Sequence, residues 1–283
     1  MHKPSTTVYT PQSSVANPRA MLSKMFRDLL ASRDLGWRLA VRDIQAQYRQ
    51  AYLGIIWAFI APLSTTVVWL FLSETGIVRV GETNLPYPVY VITGTILWSI
   101  MIEAMNAPLQ QTNAARDLLA KLNFPRESIL LSGIYQVLFN SGIKLLILLA
   151  ALLVLGVTPG WGLLLFPLGI LSLVLVGTVI GLLITPVGML YTDIGRALPL
   201  VMNFVMYLTP VVFPMPKEGW VATLFQINPM TPIILTSRDW LTGFSPEYFT
   251  YFIAVNAVAA ILLLLAWGAY RLAMPILIER MSS

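Results

Sequence analysis

The sequence predicts an all-α polytopic membrane protein: six transmembrane helices, an N-terminal amphipathic interface helix, and re-entrant helices on the outer side before the last span. Composition is the first observation behind this. Of 283 residues, 57% are hydrophobic and 11% charged, whereas a soluble domain carries about 25% charged residues to cover its surface. Length is the second, because several apolar runs reach the roughly 20 residues that cross a bilayer core. The third is pattern: the runs are long and do not alternate, so their backbone groups must be satisfied within helices and not in a barrel. Cysteine is absent, which excludes disulfides, iron–sulfur clusters and thiolate zinc sites.

Residues 1–20, MHKPSTTVYTPQSSVANPRA, are polar and rich in Ser, Thr and Pro. They lack the apolar centre of a cleavable signal and are expected to form a disordered cytoplasmic tail. Residues 21–51 are expected to lie along the membrane surface. On a helical wheel Trp37, Val41, Ile44, Tyr48 and Tyr52 form one stripe, and Arg38, Arg42, Gln45 and Arg49 another about a quarter turn away. Such a helix buries its aromatic stripe in the interface and lets the arginines reach lipid phosphates. Gly54 offers a bend into the first span. The spans fall at about 52–75, 88–110, 128–156, 162–190, 198–214 and 248–272. The fifth is short for a straight crossing. The apolar segment after it is broken by Asn228, Pro229, Pro232, Arg238 and Asp239, which suits short helices dipping into the membrane better than a seventh span. Between the second and third spans, TNAARDLLAKLNFPRES (112–128) carries a short helical pattern stopped at Pro125. Fourteen of the 18 Lys and Arg then fall on the N-terminal side of the membrane, and only Arg79, Lys217 and Arg238 opposite. The positive-inside rule therefore predicts both termini in the cytoplasm.

Catalytic groups are scarce. The one histidine is His2, no phosphate-binding loop ending in Gly-Lys-Ser/Thr occurs, and the acidic residues are scattered singly. No metal site is expected. Two ionisable residues, Glu103 and Lys144, fall inside spans. Intramembrane charges face a partner or water, so these two either pair between helices or line an aqueous path. Aromatics such as Trp57, Phe59, Tyr90 and Trp98 suit interfacial belts and helix packing, with a minority free to stack on sugars.

Three segments in this order carry a family resemblance: "RDIQAQYRQAYLGIIWAFIAPL" (42–63), "YTDIGRALPLVMNFVMYLTPVVFP" (191–214) and "INPMTPII" (227–234). They resemble the permease subunit of type-2 ABC exporters, most closely the polysaccharide branch that serves O-antigen, capsule and teichoic acid. The resemblance implies a multi-pass permease of the bacterial inner membrane, with a transmembrane domain over 52–283. It would form a homodimer bound to two separate ABC ATPase subunits. ATP and magnesium would sit on those partners, and this chain would bind no cofactor and no nucleic acid. The helix at 113–124 would be the coupling helix, with Arg116, Asp117, Leu118, Lys121 and Leu122 as its contact residues, and 217–245 an outer gating segment. Trp57, Phe59, Tyr90, Trp98, Glu103 and Lys144 would be candidates for the channel lining. Arg38, Arg42 and Arg49 would meet either the diphosphate of a lipid carrier or ordinary anionic headgroups. The cargo implied is a lipid-linked, O-antigen-like polysaccharide. A teichoic acid, a capsule polymer or a smaller amphiphile are alternatives. An integral-membrane glycosyl- or acyltransferase is a more distant one, which the lack of catalytic groups disfavours.

Overall fold

The computed structural model describes residues 18–49, 57–78, 81, 83–121, 125–216 and 218–282. Among these residues the elements are helical and no strand occurs. In chain order they are α1 (Pro18–Ala31), α2 (Arg33–Arg49), α3 (Trp57–Glu74), α4 (Tyr87–Ala114), α5 (Arg116–Lys121), α6 (Glu127–Val154), a 3-10 turn (Trp161–Leu164), α7 (Phe166–Leu190), α8 (Thr192–Tyr207), α9 (Trp220–Ile227), α10 (Met230–Thr242) and α11 (Phe249–Ser282). By length and composition α4, α6, α7 and the Phe249–Leu277 part of α11 can cross a membrane. α8, with 16 residues, is about 24 Å long and falls short of a hydrocarbon core of about 30 Å.

Several boundaries differ from the sequence expectation, each for a local reason. The interface region is two helices, not one. Ser32 turns its hydroxyl back onto the Asp28 carbonyl at 2.6 Å, and such back-bonding loosens the helix at that point. α4 runs without interruption to Ala114, so it takes the first two residues of the loop helix expected at 113–124, and α5 covers Arg116–Lys121, with residues 122–124 outside the described residues. The expected tail shortens too, since α1 begins at Pro18; residues 1–17, Tyr52 and the bend at Gly54 lie outside the described residues.

α4 is the centre of the bundle, buried on almost every side from Val89 to Met105. Its main neighbour is α7, whose sequence GTVIG (177–181) sets two glycines on one face. A Cβ added at Gly177 would lie 2.6 Å from the Met101 carbonyl oxygen, and one at Gly181 would run into the Met105 carbonyl. Small residues four apart let two backbones touch, which in lipid is a main source of helix association. α6 packs on another side of α4 and α11 against α7, both with large apolar surfaces left facing outward.

α1, α2 and α5 share one end of the bundle, here the basic end. There α2 lies on α6 through small residues. Gly36 and Ala40 are buried, and a Cβ at Gly36 would stand 2.9 Å from the Leu131 Cβ. Two aromatics of the expected stripe flank this contact, Trp37 edge-on to Tyr135 at 5.7 Å and Tyr48 against Phe139 at 6.2 Å. Beneath α1, a cluster that includes Met25, Leu119, Ile129, Trp267 and Tyr270 joins α1, α5, α6 and α11. Arg271 binds Asp28 of α1 and, at 3.0 Å, Glu127 of α6.

Gly181→Leu is expected to destabilise the bundle by about 1–3 kcal/mol or more, the usual cost of forcing volume into a closed contact. Gly142→Ala, inside α6, whose added Cβ meets nothing within 4 Å, should leave it as stable or slightly more so. Thermal unfolding of the two variants in detergent checks this.

Candidate functional site

The clearest candidate is a cleft of about 400 Å³ between α3, α4 and α8. Its floor is one face of α4, where Thr95, Ser99, Glu103, Asn106 and Gln110 recur at helical spacing. Pro62 and Thr65 of α3 form one wall, and Pro199, Asn203 and Met206 of α8 the other. Trp98 sits at the margin, 5% exposed. Hydroxyl, amide and carboxylate groups on one stripe of a mainly apolar helix mark a surface made for water or for a polar ligand. α3 is held at the rim of the cleft by a 3.3 Å contact between Thr66 and Thr95 and by Trp69, which stands edge-on to Phe213 at 4.8 Å.

Behind the floor runs a chain of polar groups. Lys144 Nζ donates to Glu103 Oε2 at 2.7 Å, Asn140 donates to the other Glu103 oxygen, and Tyr48 OH donates to Asn140 Oδ1 at 2.7 Å. The pair thus cancels its charge, and α2 at the surface is wired through α6 to the cleft. Burial, and then the nearby Glu103 carboxylate, push the Tyr48 phenol above its ordinary value of 10, which keeps it protonated as a donor.

At the opposite end, a second pocket of about 460 Å³ lies between the start of α4, the 214–216 turn and the α9–α10 segment. Arg238 projects from α10 into the fold and is 2% exposed. Its Nε donates to Thr93 Oγ1 at 3.2 Å and its Nη2 to the Val211 carbonyl at 3.1 Å, and its guanidinium lies 3.7 Å from the centre of the Tyr90 ring. Glycine is required at position 94, because a Cβ there would strike Val211 and Arg238. Asn228 fastens the segment: its amide donates to the Leu208 carbonyl and Thr209 Oγ1 at 2.9 and 2.8 Å, and its oxygen accepts the Met230 N–H at 3.0 Å. Burial raises the Asp239 carboxyl to about 6, with Glu247 pushing the same way and Arg238 opposing.

The structure distributes the sequence-predicted residues unevenly. Trp98 and Glu103 line the cleft. Lys144 stands behind Glu103, and Tyr90 lies at the opposite end, its hydroxyl donating to the Pro210 and Phe213 carbonyls at 3.1 Å. Arg38, Arg42 and Arg49 are exposed along α2, and Arg42 pairs with Asp43 at 2.7 Å. On α5, Arg116 and Leu118 are exposed. The side chains of Trp57, Phe59, Asp117 and Lys121, and all of Leu122, lie outside the described residues. Sequence reasoning missed Asn140, Asn106, Gln110 and Asn203. The signal was present in part: Asn140 precedes Lys144 by four residues, and Ser99, Glu103, Asn106 and Gln110 follow at intervals of four, three and four.

Two outcomes follow. Glu103→Gln leaves the Lys144 ammonium buried without a counterion, so it should lower the unfolding temperature more than the double variant Glu103→Gln/Lys144→Met does; a double-mutant cycle in detergent measures this. A raised carboxyl pKa means that the folded state holds a proton at Asp239 which the unfolded state releases at lower pH. Stability from this group is therefore full below about 4 and lost as pH rises through about 6. Asp239→Asn should remove that part of the pH dependence in thermal unfolding followed from pH 4 to 7.

Residues 35–242 match the ABC-2 type transporter family. The chain is 23% identical over 253 residues to an O-antigen export system permease protein of Myxococcus xanthus, covering 87% of this chain and 94% of that one. It is 25% identical over 206 residues to an O-antigen export system permease protein of Klebsiella pneumoniae, covering 70% and 76%. A polysialic acid transport protein of Escherichia coli is 21% identical over 237 residues, covering 78% and 85%. The family match runs through all three helices that form the cleft, and the chain belongs to the ABC-2 type transporter family as a multi-pass membrane transport subunit.

Proposed function

We propose that this chain is the permease of an ATP-driven exporter for a lipid-linked polysaccharide, and that two copies build the path between them. The observation that carries this reading is the stripe Thr95, Ser99, Glu103, Asn106 and Gln110 facing an open cleft. Neutral hydroxyls and amides exchange hydrogen bonds with sugar hydroxyls at little net cost, so a polymer can slide along them without being trapped. A second copy laid across the cleft would close it, in line with the closed symmetry of most oligomers. The names of the relatives, O-antigen and polysialic acid transport, favour a polymer of sugars over a smaller amphiphile.

Drive comes from ATPase subunits at the basic end, a reading supported by the charge asymmetry, which favours that end as the cytoplasmic side of a bacterial inner membrane. α5 is short, exposes Arg116 and Leu118, and is anchored by buried Leu119. A push there passes into α4, the continuous helix that carries the polar stripe. Arg38, Arg42 and Arg49 on α2 offer phosphate contacts where the lipid carrier would arrive. At the other end the α9–α10 hairpin forms an outer gate that re-enters the membrane. In support, its turn at Pro229 and Met230 lies beside Val176, Val179 and Ile180, about halfway along α7.

In a strain that lacks this gene, the wild-type chain should restore surface polysaccharide and co-purify with an ABC ATPase. Asn106→Leu/Gln110→Leu should insert and bind the ATPase normally yet export at least tenfold less polymer. Full polysaccharide export in the deletion strain, or unchanged export by the double variant, would overturn the reading.

A further inference from the structure

The pocket at the far end is separate from the cleft, and its chemistry is specific. Its volume of about 460 Å³ lies in the range of roughly 300–1,000 Å³ typical of small-molecule sites. Gln226, Asp239 and Glu247 present planar amide and carboxylate groups to it, and Phe244 and Tyr248 supply ring walls. At its base sits Arg238, buried and fixed on two sides, with Nη1 left without a hydrogen-bond partner. A buried, unpaired guanidinium N–H is costly and rare. Gly94 and Asn228 show that the fold is shaped to keep this arginine where it is.

The lining excludes most ligand classes. Asp239 and Glu247 would repel an anion, although Arg238 alone would attract one. Among the described residues no group of three His, Cys, Asp or Glu exists to hold a metal ion. The polar wall is wrong for an acyl chain, for which the apolar groove between α7 and α11 is far better suited. The lining suits a neutral ligand rich in hydroxyls, able to donate to two carboxylates, accept from the Gln226 amide, and lay an apolar ring face on an aromatic side chain.

We propose that this pocket is a saccharide-binding subsite on the exit side, taking a sugar unit of the exported polymer. It rests on the polysaccharide-export reading for the identity of its ligand. The geometry suits a hexose-type unit held by Asp239, Glu247 and Gln226 at the rim, above a base closed by the buried Arg238. Such a site would grip the emerging chain and oppose its slipping back.

The test uses the full chain in lipid nanodiscs and oligosaccharides released by mild acid from the surface polysaccharide of the source cell. Saturation-transfer NMR should show contact with the sugars, weakened at least tenfold in both Glu247→Gln and Gln226→Ala. These two positions are exposed, so the variants should fold. Glu218→Gln, an exposed carboxylate outside the pocket, should bind as wild type does. No transfer to any oligosaccharide, or equal transfer in both pocket variants, overturns the subsite. So does a loss of transfer on Asn106→Leu in place of the pocket variants, which would put the sugar in the cleft. Polymer export by the wild-type chain in the deletion strain is scored separately, so export without pocket binding sinks the subsite alone. Pocket binding without export sinks the export reading.

Discussion

Everything in this bundle is referred to the line where α4 and α7 touch through their backbones. In a lipid environment apolar side chains gain little by leaving the solvent, so close packing has to hold helices together. Gly177 and Gly181 bring α7 against the Met101 and Met105 carbonyls, and this fixes which side of α4 remains for other duties. The stripe from Thr95 to Gln110 occupies a different side. Had bulky residues stood at 177 and 181, α4 could not hold its polar face in one orientation, and the cleft would have no floor.

A polar face in such a setting carries an electrostatic cost, and the second layer offsets it. Glu103 is neutralised by Lys144 and oriented by Asn140, which Tyr48 orients in turn. The groups are satisfied as a set, as a buried polar network must be if it is to specify one arrangement. The same principle operates at the opposite end, where Asn228 meets two acceptors and one donor between α8 and α10. The buried Arg238 is less fully satisfied, with its Nη1 lacking a hydrogen-bond partner.

The sequence reveals the broad architecture because bilayer crossing imposes length and apolarity that can be counted residue by residue. Long helices such as α4, α6 and α7 follow directly, and Glu103 and Lys144 stand out as ionisable residues in apolar runs. Lateral information is harder to see. Which face of α2 meets α6 depends on Gly36 and Ala40, small residues with no signal on a wheel dominated by Trp37 and the arginines. The cleft needs three helices to converge, and nothing local links Asn106 with Asn203. Tyr90 reads from the sequence only as an aromatic in a span; its neighbour Arg238 is 148 positions away in sequence.

Arg271 ties the basic end together in a way that bears on timing. One guanidinium holds carboxylates from α1 and α6, and its own helix α11 presents a broad outward-facing apolar surface. Residue 127 opens α6 a few positions after α5 ends. A force on any one of α1, α6 and α11 at this end is therefore felt by the other two through a single guanidinium, so that the three shift together or the ion pairs break.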